Sequence, residues 1–91
     1  MHKHAYRNLE KIVKGFANHR RIQILDLIHE EPELSVIEIA EKLKINMKTA
    51  SEHVRRSAIA GLLMKRYDAN MVRHKLTNRG KSILQFVRII E

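Results

Sequence analysis

Residues 35 to 63 constrain this chain more than any other stretch. Two helical hydrophobic patterns lie there, separated by a turn of about three residues. Val36, Ile39, Ala40 and Leu43 share one face of the first pattern. Ala50, Val54 and Ala58, helped by Ser57, share one face of the second. Ser35 and Glu38 have the spacing of a capping box, so a helix is predicted over Val36 to Leu43. Lys44-Ile45-Asn46 makes the turn, with Ile45 directed into the core and Asn46 capping a helix from Met47 to Ala60. Gly61 sits where a left-handed C-terminal residue belongs.

Weaker patterns frame this pair. Ala5, Leu9, Ile12, Val13 and Phe16 predict a first helix from His4 to Ala17, weakened in its last turn by Gly15. Asn18 caps a second helix, His19 to Glu30, with Ile22, Leu25 and Ile28 inward and Ile24 and Leu27 widening the stripe. Pro32 stops it. Leu62 to Tyr67 and Met71 to Leu76 read as strands around the turn Asp68-Ala69-Asn70. Thr77 caps a last helix from Asn78 to the end. The predicted fold is mainly α with a small β-hairpin, in the order α-α-α-α-β-β-α, a helix-turn-helix with a wing. Ninety-one residues suit one domain spanning 1 to 91.

Charge is segregated along the chain. Residues 29 to 41 hold five acids and no Lys or Arg, whereas residues 44 to 75 carry a net +6. The basic part coincides with the second helix of the pair and with the hairpin, which points to a polyanion. At the start of that helix, Met47, Lys48, Thr49, Ser51, Glu52, Arg55 and Arg56 are the candidate DNA-binding residues. Arginine and lysine suit guanine or phosphate, the hydroxyls suit either, and Met47 suits a thymine methyl. Glu52 either accepts from cytosine or orients Arg55 or Arg56. In the wing, Arg66, Arg73 and Lys75 are further candidates, with Arg73 near the tip as the phosphate or minor-groove contact. Arg20 and Arg21 touch phosphate or pair with Glu10 or Asp26.

Other chemistries find little support. The chain has no cysteine, which excludes disulfides and thiolate metal sites and suits a reducing cytoplasm. No run of 18 apolar residues is present, and the first residues lack the apolar core of a signal peptide. Of the six histidines, His2 and His4 near the chain end suit only adventitious metal binding, and His19, His29, His53 and His74 show no ligand spacing, with His53 packing or bonding locally, so no metal site and no cofactor are expected. No nucleophile–base constellation marks an enzyme.

From Phe16 to Leu76 the chain resembles the ArsR-type winged-helix transcriptional regulators. The matching pieces are Ala17 to Leu25, Leu34 to Ala40, Thr49 to Val54 and Ala60 to Leu63. The resemblance implies a cytoplasmic homodimer that pairs through its terminal helices and represses transcription until an effector loosens it. Leu9, Ile12, Phe16, Ile83, Phe86, Val87 and Ile90 are then the dimer-interface candidates. Ser35-Val36-Ile37 stands where soft-metal sensors of that family carry Cys-Val-Cys, which argues against metal sensing. Lys44 replaces a frequent glycine. Ser57 replaces a frequent leucine, so Ser57→Leu is expected to be neutral or stabilising. The alternative function is a winged-helix module that binds protein or RNA through the last helix and the acidic segment.

Overall fold

The computed structural model describes residues 1–91. The order is α1 (Ala5–Phe16), α2 (His19–Glu30), α3 (Val36–Leu43), α4 (Met47–Ile59), β1 (Leu63–Asp68), β2 (Met71–Leu76) and α5 (Asn78–Ile90). Local signals set most boundaries. The Asn18 side chain accepts from the backbone N–H groups of Arg20 and Arg21, opening α2. Ser35 and Glu38 form the reciprocal capping box of α3. Asn46 opens α4 and Thr77 opens α5 in the same manner. Each satisfies backbone donors that the first turn would otherwise leave orphaned.

The turn between α3 and α4 is closed by Lys44 in the left-handed region, at φ 54° and ψ 46°. A lysine there sacrifices about 1 kcal/mol of backbone preference. The bond of its N–H to the Ala40 and Glu41 carbonyls holds it in place. Gly61 ends the α4 segment at φ 80°, as its position after the helix predicts.

Helix α2 is central and packs against α1, α4, α5 and β2. Its Ile24, Leu25 and Ile28 join Phe16, Leu34, Ile39, Val54, Leu62, Leu63, Leu76 and Leu84 in one core. Two sequence expectations shift here. Ile24 is fully buried while Ile22 is only half-buried, so the inner stripe of α2 is rotated toward Ile24. Ile45 is half-buried rather than plugged into the core. It borders a shallow surface hollow with Ile37 and Met47.

The strands pair antiparallel with Leu63 opposite Leu76 and Lys65 opposite His74. The hairpin turns through Ala69 and Asn70, with Ala69 at φ 53°. Leu34 adds a single bridge to His74, which docks the wing on the segment before α3. His74 is buried in that seam, and its Nδ1 lies 2.9 Å from the Leu34 carbonyl oxygen. A carbonyl only accepts, so Nδ1 carries a proton there. Burial pushes the His74 pKa down, with the Leu34 hydrogen bond opposing and Lys65 adding to the shift.

That placement predicts an acid sensitivity. A folded pKa below the unfolded value means that unfolding takes up a proton. The stabilisation is whole above the unfolded value of about 6.5 and is lost as pH falls through the lower folded value. His53 shifts in the same direction, through burial and then Arg21. The carboxylates with altered pKa values, Glu33, Glu38 and Glu52, are all lowered from 4.5 and lose their contributions only below that. Urea midpoints are therefore expected to be flat above about pH 7 and to fall between about 6.5 and 5. His74→Gln should flatten that fall, and a midpoint constant to pH 5 would contradict the assignment.

Candidate nucleic-acid interface

Helix α4 buries Ala50, Val54 and Ser57 and turns its remaining faces outward. Lys48, Ser51, Glu52 and Arg55 recur at steps of three and four and so share one exposed flank. Thr49, His53 and Arg56 occupy the flank nearer α1 and α2. Met47 stands exposed at the helix start. The sequence candidates on this helix are thus all accessible, Glu52 in part.

Glu52 organises the basic groups. Its carboxylate accepts from Arg55 Nε at 3.0 Å, from Arg55 Nη2 at 2.8 Å and from Arg56 Nε at 2.8 Å. These hydrogen bonds hold its pKa at about 2, so it is anionic throughout the physiological range. Of its two sequence readings, the structure displays the orienting one, and for both arginines. Arg21 does not pair with Glu10 or Asp26. It donates to His53 Nδ1 at 3.1 Å and to the Lys14 carbonyl, tying α4 to the α1–α2 junction. His53 is therefore a tertiary acceptor and not a locally bonded residue. Asp26 pairs with Arg88 at 2.8 Å, and Arg20 donates to Gln23 at 2.9 Å.

The wing departs most from the sequence reading. Arg66 is paired with Glu33 through both carboxylate oxygens. Arg73 is half-buried and donates to Asp68 at 3.0 Å and to the Glu33 carbonyl at 3.2 Å. Both arginines are held by acceptors of the protein itself, so Arg73 is not a free cation near the tip. Lys75 is exposed and has no salt bridge within 4.0 Å, and the same holds for Lys65.

Lys65 lies on the strand face of Leu63, opposite His74, and so faces α4. Ser51, Arg55, Lys65 and Val72 line a groove between α4 and the hairpin. Lys65 is not among the wing candidates read from the sequence. The signal was available: Leu63 and Leu76 are the apolar ends of the two strands, and counting by two from Leu63 puts Lys65 on their side.

The terminal helices leave apolar residues uncovered. On α5, Phe86, Ile89 and Ile90 are exposed, with Ile83 and Val87 half-buried. On α1, Tyr6, Leu9 and Val13 are exposed, and Ile12 is half-buried. Phe16 is a correction, because it is buried in the protomer's own core and has little surface left for a partner. Tyr6, Val13 and Ile89 are exposed neighbours not among the interface candidates.

A family model described as winged helix-turn-helix DNA-binding matches residues 18–56, which covers α2 through most of α4. No curated protein sequence matches the chain significantly. Among solved structures, HlyU from Vibrio cholerae N16961 has 27% identity and a TM-score of 0.82, covering 99% of this chain and 97% of that one. The homodimeric winged helix-turn-helix DNA-binding domain of Mb0332 from Mycobacterium bovis, a possible ArsR-family transcriptional regulator, has 25% identity and a TM-score of 0.85. That match covers 94% of this chain and 80% of that one. NolR from Sinorhizobium fredii shares the fold at 23% identity and a TM-score of 0.85, with 96% and 87% covered.

The chain has the winged helix-turn-helix fold of DNA-binding transcriptional regulators. Within that class its likeness is to ArsR-type regulators, and it extends over nearly the whole chain. No helix is long and apolar enough to cross a membrane.

Proposed function

We propose that residues 1–91 act as one sequence-specific, double-stranded DNA-binding transcriptional regulator, paired as a homodimer through α1 and α5. The observation that carries this is the exposed flank of α4. Lys48, Ser51, Glu52 and Arg55 stand outward there while Ala50 and Val54 anchor the helix in the core. A helix so mounted presents hydrogen-bonding groups to base edges in the major groove. The groove toward Lys65 has the chemistry for an adjacent phosphate strand. The exposed Lys75 of the hairpin extends the basic surface, while Arg66 contributes only if DNA displaces Glu33 from it. Catalysis forms no part of this reading.

Dimerisation rests on the uncovered apolar residues. Only 18 of 91 residues are buried in the protomer, and α1 and α5 expose large hydrophobic side chains. Such surface is normally covered by a partner. The Mb0332 domain is homodimeric, and two-fold pairing would suit a palindromic site. We further propose repression without a metal effector, because Ser35, Val36 and Ile37 offer no thiolate.

Selection of bound duplexes from a random pool, with sedimentation of the free protein and its complex, tests the reading. A two-fold-symmetric consensus, salt-dependent affinity and a dimer at tens of micromolar, on the order of common assay concentrations, are expected. A monomer at that concentration would refute the dimer. Equal binding of all duplexes, or preference for matched RNA, would refute sequence-specific DNA reading and favour the interaction-module alternative.

A further inference from the structure

A groove of about 320 Å³ opens between α1, α4 and the first turn of α5. Lys11, Lys14, Arg55, Arg56 and Arg79 stand around it, and no acidic side chain lines it. Its apolar lining includes Ile12 and the largely exposed Ile59. The nearest carboxylates approach from outside. Glu52 fastens Arg55 and Arg56, and Glu10 lies 3.7 Å from Lys14. Like charges gathered on a concave surface with apolar walls focus a positive potential into the concavity. An isolated cluster of this kind is relieved by an anion.

The position is fixed by packing. Gly15 lets α1 approach α4 so closely that a Cβ there would overlap the Ala60 Cβ. The two helices therefore meet at the floor and diverge above it. Arg79 Nη1 donates to the Ala60 carbonyl at 3.1 Å, which holds the guanidinium at the rim. Asn8, Lys11 and Gly15 lie at helical spacing on α1, whereas the exposed Tyr6, Leu9 and Val13 lie on a different flank. Of the apolar residues proposed for dimer pairing, the groove shares only Ile12, at its edge.

We propose that this groove is a binding site for the phosphoryl group of a small phosphate-bearing ligand. Planar guanidinium forks match phosphate oxygens in pairs, and the lysines add point charges. The apolar lining would receive a non-polar remainder of the ligand. A bound phosphoryl group would bridge α1 to α4 and engage Arg55, which lies in the interface proposed above for DNA. The ligand would then lower duplex affinity, an effect that rests on the DNA reading, while the site itself does not.

The same chemistry could be supplied by the DNA backbone, and the experiment separates the two sources. The full chain, free of DNA, is titrated with inorganic pyrophosphate at constant ionic strength, followed by calorimetry and amide shifts. Saturable binding is expected, with shifts at Lys11, Gly15, Ile59 and Ala60. Lys11→Gln and Arg79→Gln should each weaken it by about tenfold, and Lys81→Gln, outside the groove, should leave it unchanged. Lys11 is an exposed residue with no hydrogen bond to lose, which guards against an unfolded Arg79 variant. Both variants should keep duplex affinity within about twofold, since neither residue lies on the flank of α4 or the hairpin face proposed to meet DNA. Non-saturating shifts, or shifts that chloride reproduces, would overturn the site. So would a parallel loss of duplex affinity in both variants without pyrophosphate binding, which would assign these cations to the DNA backbone. Saturable pyrophosphate binding by a protein that ignores duplex DNA would uphold the site and refute only the DNA reading.

Discussion

Ser57→Leu is expected to destabilise the domain by about 1–3 kcal/mol, the usual penalty for forcing extra methylenes into a packed site. This reverses the expectation drawn from the sequence, in which a family leucine at this position suggested an underfilled core. Ser57 is fully buried, and its hydroxyl donates to the Gly15 carbonyl at 3.4 Å. Nearby, the α1–α4 contact is so close that Gly15 has no room for a Cβ beside Ala60. A leucine at Ser57 would push α1 away from α4, and it would also remove the donor to Gly15. For a domain of this size, each kcal/mol corresponds to a fall in melting temperature of about 4–8 °C. Thermal unfolding of Ser57→Leu beside Ser57→Ala measures both parts. The alanine variant keeps the space and loses the hydroxyl, so it should cost about 0.5–1.5 kcal/mol. A leucine variant as stable as the parent would show that the helices separate easily and that the small residues are not what sets their distance.

The elements legible in the sequence are those whose signals are local. Asn18, Ser35 with Glu38, Asn46 and Thr77 each cap a helix within three residues of themselves, and all four do so in the structure. Lys44 and Gly61 take left-handed conformations because the chain must turn there, and the hydrophobic spacing located both turns. The exposed flank of α4 follows from period 3.6 alone. What the pattern did not contain were choices of partner across the fold. Ser57 meets a carbonyl 42 positions away. His53 meets Arg21 across 32 positions, and Arg66 meets Glu33 across 33. A charge count along the chain treats Arg66 and Arg73 as free cations, yet Glu33 and Asp68 fold back against them. Sequence pattern reports which face a residue lies on. It does not report which opposite charge the fold delivers to that face.

That distinction sets the division of labour expected on DNA. Arg55→Ala should relax sequence preference by about 1–3 kcal/mol at one position of each half-site, if Arg55 donates to a base as its place on α4 allows. Thr49→Ala tests the other flank of the same helix. Lys65→Ala should instead weaken binding to all duplexes by a similar factor and reduce the salt slope by about 1 per protomer, since Lys65 faces the groove as an unpaired cation. Arg73→Ala is expected to act less directly, by loosening the hairpin that Arg73 holds through Asp68 and Glu33. Glu52→Gln completes the set. It frees Arg55 and Arg56 from their shared carboxylate and removes a negative charge from the DNA-facing flank. Affinity for scrambled DNA should therefore rise and discrimination should narrow, as the guanidinium groups become available to any phosphate. Competition of each variant between a selected site and scrambled duplex, at several salt concentrations, separates these effects. If Arg55→Ala and Lys65→Ala lose affinity equally on both DNAs, α4 contacts only backbone. If Glu52→Gln leaves scrambled binding unchanged, its ion pairs with Arg55 and Arg56 hold the helix surface together without governing what the arginines read.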